Sequence, residues 1–190
     1  MTAKIYIEGG GDGEALHTLF REGWRRFFEA AGLAGHMPRV VPGRGRVQTF
    51  DLFLTALGNP RPGELPLLLV DSEGPVTPAH TVWQHLKTQA NWDRPKAAGD
   101  DCAFLMVQIM ETWFLADHGL LREYFGASLR EQHLREWPTL ETLTKDTVMG
   151  ALDGATAGCP KSYSKGKISY DLLGRLNPEH VQARCPHAKV

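Results

Sequence analysis

The sequence predicts an α/β fold in which a mostly parallel, Rossmann-type central sheet is flanked by helices. Short β-rich segments alternate with amphipathic stretches, an order that is typical of parallel sheets. The run 65–71, LPLLLVD, is apolar almost throughout, as expected of a strand covered on both faces. The segment 14–31 repeats large apolar residues at steps of three and four, which predicts a helix with one apolar face.

The remaining elements follow from the same patterns, with glycine and proline marking the turns. We predict strands at 4–7, 39–41, 65–71 and in the first part of 102–110, and helices at 14–31, 47–58, 110–126, 138–152 and 170–177. The proline-interrupted segment 74–101 carries no clear pattern. Residues 1–125 are expected to form the α/β core, and residues 126–190 a helical and loop extension packed on it within one domain.

Composition limits the classes of function. The chain has 190 residues, a 42% apolar fraction and a formal net charge of −1, which are typical of an ordinary globular protein. Any attraction for a polyanion must come from local patches rather than from overall charge. The three cysteines form no CxxC pair, so we expect neither a disulfide framework nor a cysteine zinc site. With no signal-like or spanning apolar run, we predict a cytoplasmic protein without a membrane segment.

Acidic residues follow two of the predicted strands. Glu8 comes directly after the first strand, and Asp71 and Glu73 end the run 65–71. If the two strands are neighbours, these carboxylates meet outside the carboxyl ends of the sheet, where ligands bind in open α/β folds. Carboxylate clusters suit Mg²⁺ or Mn²⁺. The alternative is a pair of strand ends that carry solvated charges.

The glycine-rich turn 9–13 could bring the backbone close to a ligand. It reads GGGDG and is followed by neither a GxGxxG pattern nor a GK[ST] triplet, so a Walker phosphate loop is excluded. Glu8, Asp12 and Glu14 in and around the turn repel phosphate unless a cation lies between them. A tight turn with solvated acids is the alternative here.

A third acidic position follows the run 102–110. Glu111 lies just past it and is the candidate for a second metal position, as two-metal phosphoryl chemistry requires. Asp117 is six residues further along, which is not a same-face spacing on a helix. We therefore expect the two carboxylates not to share a ligand unless the helix breaks between them, and we expect 113–115 to be core.

Two basic loops could supply phosphate contacts. One holds Lys161, Lys165 and Lys167 among serines, and the other holds Arg44 and Arg46 between glycines. A lysine near a scissile phosphate can stabilise developing negative charge, and arginines bind phosphate oxygens. Ordinary solvated turns are the alternative for both loops. The histidines match no zinc pattern, and no nucleophile-elbow or HExxH motif is present.

Two segments resemble known motifs. IYIEGGGD, ending on the Glu8 loop, and LLLVDSEG, containing Asp71 and Glu73, are similar to the two acidic motifs of the Toprim domain of topoisomerases, primases, recombination proteins and overcoming-lysogenization-defect nucleases. Glu73 stands where that domain has a second Asp. Over nearly the whole chain, segments such as WQHLKT, WDRP and KGKISYDLL resemble a bacterial family catalogued as domain of unknown function 4276. That resemblance implies a distant Toprim relative, often encoded beside ATPases and in some cases in phage defence.

The resemblance implies a Toprim-like, Mg²⁺- or Mn²⁺-dependent nuclease that acts on DNA or RNA, either alone or with an ATPase partner. Glu8 would serve as general base or metal ligand. Asp71, Glu73 and Glu111 would be metal ligands, Lys165 or Lys167 would offset transition-state charge, and the nucleic acid would contact Arg44, Arg46 and Lys161.

Two alternatives stay open. One is a non-catalytic binding or regulatory partner of an ATPase, with an interface around Trp24, Phe27 and Phe28. The other is a metal-dependent phosphatase or phosphotransferase that acts on a small ligand.

Overall fold

A four-stranded, all-parallel sheet forms the centre of the computed structural model, which describes residues 2–189 and confirms the α/β prediction. The strands are β1 (Thr2–Ile7), β2 (Arg39–Pro42), β3 (Glu64–Asp71) and β4 (Ala103–Met106). Their order across the sheet is β2-β1-β3-β4. β1 and β3 are therefore neighbours, as the site prediction requires, with Ile7 paired with Leu69.

Seven α-helices surround the sheet in the described residues. They are α1 (Glu14–Phe28), α2 (Arg46–Gly58), α3 (Val82–Ala90), α4 (His118–Phe125), α5 (Lys145–Thr156), α6 (Lys167–Leu173) and α7 (Pro178–Arg184). A π-helical segment follows α1 over Glu29–Leu33 and is kinked at Gly32, whose φ of 92° is not helical. A 3₁₀ segment covers Met110–Ala116. No helix among residues 2–189 has the length and apolar character needed to cross a membrane.

The sheet buries side chains on both faces, which explains the continuous apolar run of β3. Ile5, Ile7 and Leu69 belong to a core shared with α1 and with the helices that follow residue 110. Tyr6, Leu68 and Val70 face the opposite way, into a smaller core with α2 and α3. The period of two along each strand thus distributes its apolar residues between two cores.

The aromatic cluster of α1 is part of the larger core. Trp24 is fully buried and Phe27 is 7% exposed. The Trp24 ring lies edge-on to the Trp113 ring, with 5.9 Å between centroids. The interpretation of Trp24 and Phe27 as an exposed interface is therefore wrong, while the prediction that residues 113–115 are core is confirmed.

α1 and α6 cross at a glycine. A Cβ atom placed on Gly23 would lie 2.4 Å from the backbone oxygen of Tyr170, which is closer than real contacts allow. Gly174 directly follows α6, and a Cβ placed on it would make a tight contact of 3.3 Å with the Cα of Gly23. The two backbones therefore pack directly on each other, and the position of α6 depends on the absence of side chains at the crossing.

Three predicted helices differ from the structure. The helix predicted over 170–177 is α6, which begins at Lys167 and ends at Leu173. The segment predicted as one helix over 110–126 breaks at Asp117, because this side chain accepts a hydrogen bond from the Leu120 backbone N–H and acts as the N-cap of α4. The helix predicted over 138–152 begins only at Lys145, because the Thr144 hydroxyl caps it by accepting from the Thr147 N–H. Helices α3 and α7 were not predicted at all.

Candidate metal and phosphoryl site

The carboxyl ends of β1 and β3 bring the predicted acidic residues together. Parallel pairing continues one residue past β1, where the Glu8 N–H donates to the Leu69 carbonyl at 3.0 Å. The Glu8 side chain then accepts a hydrogen bond from the Asp71 N–H at 3.2 Å. Carboxylate oxygens of Glu8, Asp71 and Glu73 all lie within 4.8 Å of one another. The structure thus places these three predicted ligands in one cluster.

Burial and mutual repulsion make the cluster electrostatically unfavourable for negative charge. Burial is the main reason that the pKa of Asp71 is raised well above its usual value, and the charges of Glu8 and Glu111 raise it further. The Met110 N–H, which donates to Asp71 Oδ1 at 2.9 Å, opposes this shift. Burial also raises the pKa of Glu8, against the lowering effect of Arg46. Such a cluster favours binding of either a proton or a cation.

Arg46 is the counter-ion of Glu8. Its Nη1 lies 3.5 Å from Glu8 Oε2 and donates to the Asp71 carbonyl oxygen. The guanidinium lies over the Trp92 ring, 4.8 Å from its centroid, and the side chain is only 17% exposed. The sequence predicted Arg46 as a nucleic-acid contact, whereas the structure places it beneath the acidic cluster. Arg44 in the same loop is 60% exposed and contributes to the cavity wall.

Two lysines from the C-terminal part of the chain form ion pairs with Glu73 and Glu111. Lys145, at the start of α5, places its Nζ 3.3 Å from Glu73 Oε2. Lys165 places its Nζ 3.2 Å from Glu111 Oε1. In the described chain, Asp71 differs from these acids because its side-chain partner is a backbone N–H and not a cationic group. Of the four carboxylates, Asp71 is therefore the one whose negative charge a bound cation would neutralise most.

Glu111 is buried beside the cluster rather than within the group of three. It is 3% exposed, and the Tyr163 hydroxyl donates to its Oε1 at 3.0 Å. Burial first, and then the Glu111 charge, raise the pKa of Tyr163, which keeps that hydroxyl protonated as a donor. Glu111 lies in the 3₁₀ segment that follows β4, near the strand end as predicted.

A cavity of about 200 Å³ opens above the acidic cluster. Its walls include Glu8, Asp71 and Glu111 from the strand ends, together with Lys165 and further residues around the start of α6, namely Gly166, Ser169 and Tyr170. In the chain as described, neither Lys161 nor Lys167 belongs to this wall. Lys167 lines a neighbouring depression with Glu22 and Arg26. Of the predicted lysines, Lys165 is thus the one beside the carboxylates.

Three residues near the carboxylates were missed by the sequence analysis: Lys145, Tyr163 and Tyr170. Lys145 lies 72 positions from Glu73, and no local pattern joins them. Tyr163 and Tyr170 flank the KGK sequence that was read for its lysines, so a search of that segment for hydroxyl donors could have found them.

The loop after β3 holds Glu73 in place. The Glu73 N–H donates to the Gln108 carbonyl at 3.0 Å, and its φ of 60° lies in the left-handed region, which is uncommon outside glycine. The Ser72 hydroxyl donates to the Gly74 carbonyl at 2.6 Å. The His85 Nε2 donates to the Ser72 carbonyl at 2.9 Å. These bonds fix the carboxylate-bearing loop to β4 and α3.

The stability of this loop is expected to depend on pH through His85, which is 2% exposed. Burial is the main cause that lowers the pKa of His85 below 6.5, against the opposing Ser72 carbonyl. Between that lowered pKa and 6.5 the unfolded chain binds more protons, so the free energy of unfolding falls as pH drops through this range. Urea unfolding from about pH 7.5 to about pH 5 measures the slope.

His85→Gln is expected to flatten the pH dependence of the unfolding free energy relative to the wild type. His36→Gln is the matched control because His36 is exposed, and it should leave the slope unchanged. An unaltered slope in the His85 variant would contradict the expectation.

The donor set fits a hard divalent cation. The three clustered ligands are all carboxylates, which Mg²⁺ and Mn²⁺ prefer over softer donors. Glu8, Asp71 and Glu73 could hold one such ion after small side-chain movements, and Glu111 lines the same cavity. The arrangement can bind a cation and an anionic group together, with cationic side chains close by.

Comparison with known proteins gives one match. A family model described as "Domain of unknown function (DUF4276)" matches residues 7–190, which include every residue of the site described above. Neither the curated proteins nor the solved structures contain a match to this chain. The predicted resemblance to this family is thereby confirmed, while the relationship to the Toprim domain stays a prediction.

Proposed function

Because the chain belongs to the DUF4276 family, whose description names no reaction, we take its function from the site and propose that it is a Mg²⁺- or Mn²⁺-dependent hydrolase of nucleic-acid phosphodiesters. The observation that carries the proposal is the cluster of Glu8, Asp71 and Glu73, whose carboxylate oxygens lie within 4.8 Å of one another. A solvated strand end does not require this convergence from two strands.

Asp71 supports a ligand role over a structural ion pair. The other three carboxylates each have a cationic neighbour: Arg46 beside Glu8, Lys145 beside Glu73 and Lys165 beside Glu111. In the described residues the Asp71 carboxyl instead lies among acids that raise its pKa. A buried carboxylate in this position is costly unless a cation accompanies it.

The side chains around the cavity suit phosphodiester hydrolysis. A divalent cation, when bound, polarises a phosphoryl oxygen and makes water more acidic. Glu8, with its raised pKa, is suited to accept the proton of an attacking water. Lys165 is 55% exposed beside the buried Glu111, and its charge can stabilise the negative charge that the non-bridging phosphoryl oxygens carry when water attacks phosphorus. The ester bond then breaks, and the leaving oxygen takes a proton from solvent.

The exposed bases favour a polyanionic substrate. Arg44 is 60% exposed, Lys165 is 55% exposed and Lys145 is 47% exposed. Their charges provide the local attraction that the net charge of −1 does not. Action in phage defence together with an ATPase partner is part of the proposal, and it is supported by the family resemblance alone.

The cavity volume leaves a second candidate function. About 200 Å³ admits a phosphoryl group, whereas pockets for larger ligands begin near about 300 Å³. A phosphatase or phosphotransferase of a small ligand would use the same volume. The two functions differ in the part of the substrate that extends outside the cavity, which is a nucleic-acid chain in one case and a small group in the other. Activity on matched substrates separates them.

The test is cleavage of end-labelled single-stranded DNA and RNA, and of 4-nitrophenyl phosphate, with Mn²⁺ or with a chelator. We expect metal-dependent cleavage of an oligonucleotide. Glu8→Gln should lower the rate by about 10²- to 10⁴-fold, the range for loss of a general base. Glu123→Gln, an exposed residue of α4, is the control and should leave the rate unchanged.

Two results would overturn the proposed nuclease. If calorimetry detects no Mn²⁺ binding to the wild type, a metal-dependent reaction is excluded, and a non-catalytic binding or regulatory role is favoured. Hydrolysis of the monoester without cleavage of either nucleic acid favours the small-ligand reaction.

A further inference from the structure

Tyr170 lines the acidic cavity, and the surrounding structure fixes the position of its hydroxyl. The hydroxyl oxygen accepts a hydrogen bond from the Gly10 N–H at 3.0 Å. The ring packs edge-on against Phe20 with 5.1 Å between centroids, and the residue is 7% exposed. Because α6 packs on α1 through Gly23, the backbone of Tyr170 is held as firmly as its ring.

The hydroxyl proton remains available. A phenol can accept hydrogen bonds and also donate one. In the part of the chain that the structure describes, Gly10 is the hydrogen-bond partner of this oxygen, and Gly10 uses its accepting side. Burial raises the pKa of Tyr170, the Gly10 N–H opposes the shift and the Glu111 charge adds to it. The phenol is therefore protonated at neutral pH and is a donor rather than a nucleophile.

The wall of the cavity carries both acceptor and donor groups. Glu8, Asp71 and Glu111 offer oxygen acceptors, while Lys165 and Tyr170 offer donors. A group that occupies the space between them must carry several acceptor oxygens and must tolerate the acids through a shared cation. A phosphoryl group meets both conditions. A volume of about 200 Å³ corresponds to roughly seven waters at about 30 Å³ each, which is enough for that group.

We propose that Tyr170 is a substrate-binding residue whose hydroxyl donates a hydrogen bond to a non-bridging oxygen of the phosphoryl group in this cavity. The inference rests on the proposed function for the substrate class, and it adds a residue that recognises the group through an uncharged donor. Since the hydrogen bond goes to the phosphoryl group itself, recognition by Tyr170 is independent of the attached base.

The test measures binding of inorganic phosphate to the full chain by calorimetry with Mn²⁺ present. Tyr170→Phe is expected to weaken phosphate binding by about 10-fold or more, the typical value of a hydrogen bond to a charged group. The affinity for Mn²⁺ alone should stay within about 2-fold, because Tyr170 contacts the substrate and not the carboxylates. Tyr124→Phe is the matched control, since the Tyr124 hydroxyl donates to Asp171 away from the cavity.

The loss of an acceptor for Gly10 is checked separately, because a displaced glycine loop could also weaken binding. In the ¹⁵N–¹H spectrum of Tyr170→Phe, the Gly10 amide signal should move while those of Gly9, Gly11 and Gly13 stay in place. Movement of all four signals, with phosphate and Mn²⁺ weakened equally, would make Tyr170 a support of the loop and overturn its role in binding.

Failure of this inference is distinguishable from failure of the proposed function. If the wild type cleaves an oligonucleotide and Tyr170→Phe binds phosphate with unchanged affinity, the proposed role of Tyr170 is wrong and the proposed nuclease activity stands. If phosphate binding depends on Tyr170 but neither DNA nor RNA is cleaved, the proposed nuclease activity is wrong and the role of Tyr170 in phosphate binding stands. A wild type that binds no phosphate overturns the role of Tyr170, and the cleavage assay then decides the function by itself.

Discussion

Replacing Asp71 by Asn is expected to abolish Mn²⁺ binding and to lower the cleavage rate by about 10³-fold or more, since metal and charge stabilisation are lost together. The amide oxygen of Asn can still accept the hydrogen bond from the Met110 N–H. The change therefore removes the charge with little change in shape. Calorimetry with Mn²⁺ and the oligonucleotide assay measure the two effects.

The same variant should be at least as stable as the wild type. Burial and the charges of Glu8 and Glu111 raise the pKa of Asp71, so the ionised carboxylate destabilises the folded state when no cation is bound. If Asp71 were required for folding, Asp71→Asn would instead be less stable than the wild type. Thermal unfolding without metal therefore separates a functional role of Asp71 from a structural one.

Asp117→Asn is the matched control for this experiment. Asp117 is also buried, and its carboxylate caps α4 and accepts from the Asn177 N–H at 3.3 Å. We expect the control to lose some stability and to keep its Mn²⁺ affinity and activity. Retention of Mn²⁺ binding by Asp71→Asn would contradict the assignment of the metal site.

Gly23→Ala is the second change with a large expected effect. The new methyl group would lie 2.4 Å from the backbone oxygen of Tyr170, so α6 must move away from α1. We expect the free energy of unfolding to fall by about 1–3 kcal/mol, as for other overpacked cores. Because Lys165 and Tyr170 move with α6, activity should fall by about 10²-fold, the cost of a displacement near 1 Å.

Gly150→Ala controls for the substitution itself. Gly150 lies inside α5, and a Cβ placed there meets no atom within 4 Å. The alanine should raise stability by up to about 1 kcal/mol through helix propensity and leave activity unchanged. Urea unfolding and the cleavage assay on both variants measure the contrast. Full activity in Gly23→Ala would show that the α1–α6 contact does not position the site.

The acidic half of the site could be predicted because its information is local. Glu8 and Asp71 each follow an apolar strand directly, and parallel pairing of β1 with β3 then brings them together. The continuous run of β3 also predicted a sheet covered on both faces. Once β1 and β3 are assumed to be neighbours, the proximity of Glu8 and Asp71 follows without any further assumption about contacts between distant residues.

The basic half could not be predicted in the same way. Lys145 reaches Glu73 only because α5 packs against the segment that follows β4, and Tyr170 reaches Gly10 across 160 positions. No periodicity encodes such contacts. The environment of Arg46 could not be predicted either, because a basic residue in a glycine loop gives no sign of the stacking on Trp92 or of the ion pair with Glu8 that the structure shows. The break at Asp117 was a missed local signal, an Asp at a helix start.

The order of these groups along the chain has a consequence during synthesis. All four carboxylates lie within the first 111 residues, while Lys145 and Lys165 follow α4. A nascent polypeptide that has reached only the end of α4 therefore contains the acids with Arg46 but without their other cationic partners. Repulsion among the carboxylates then opposes closure of the strand ends until the last third of the chain has been made. Assembly of a competent centre is thus coupled to near-completion of translation.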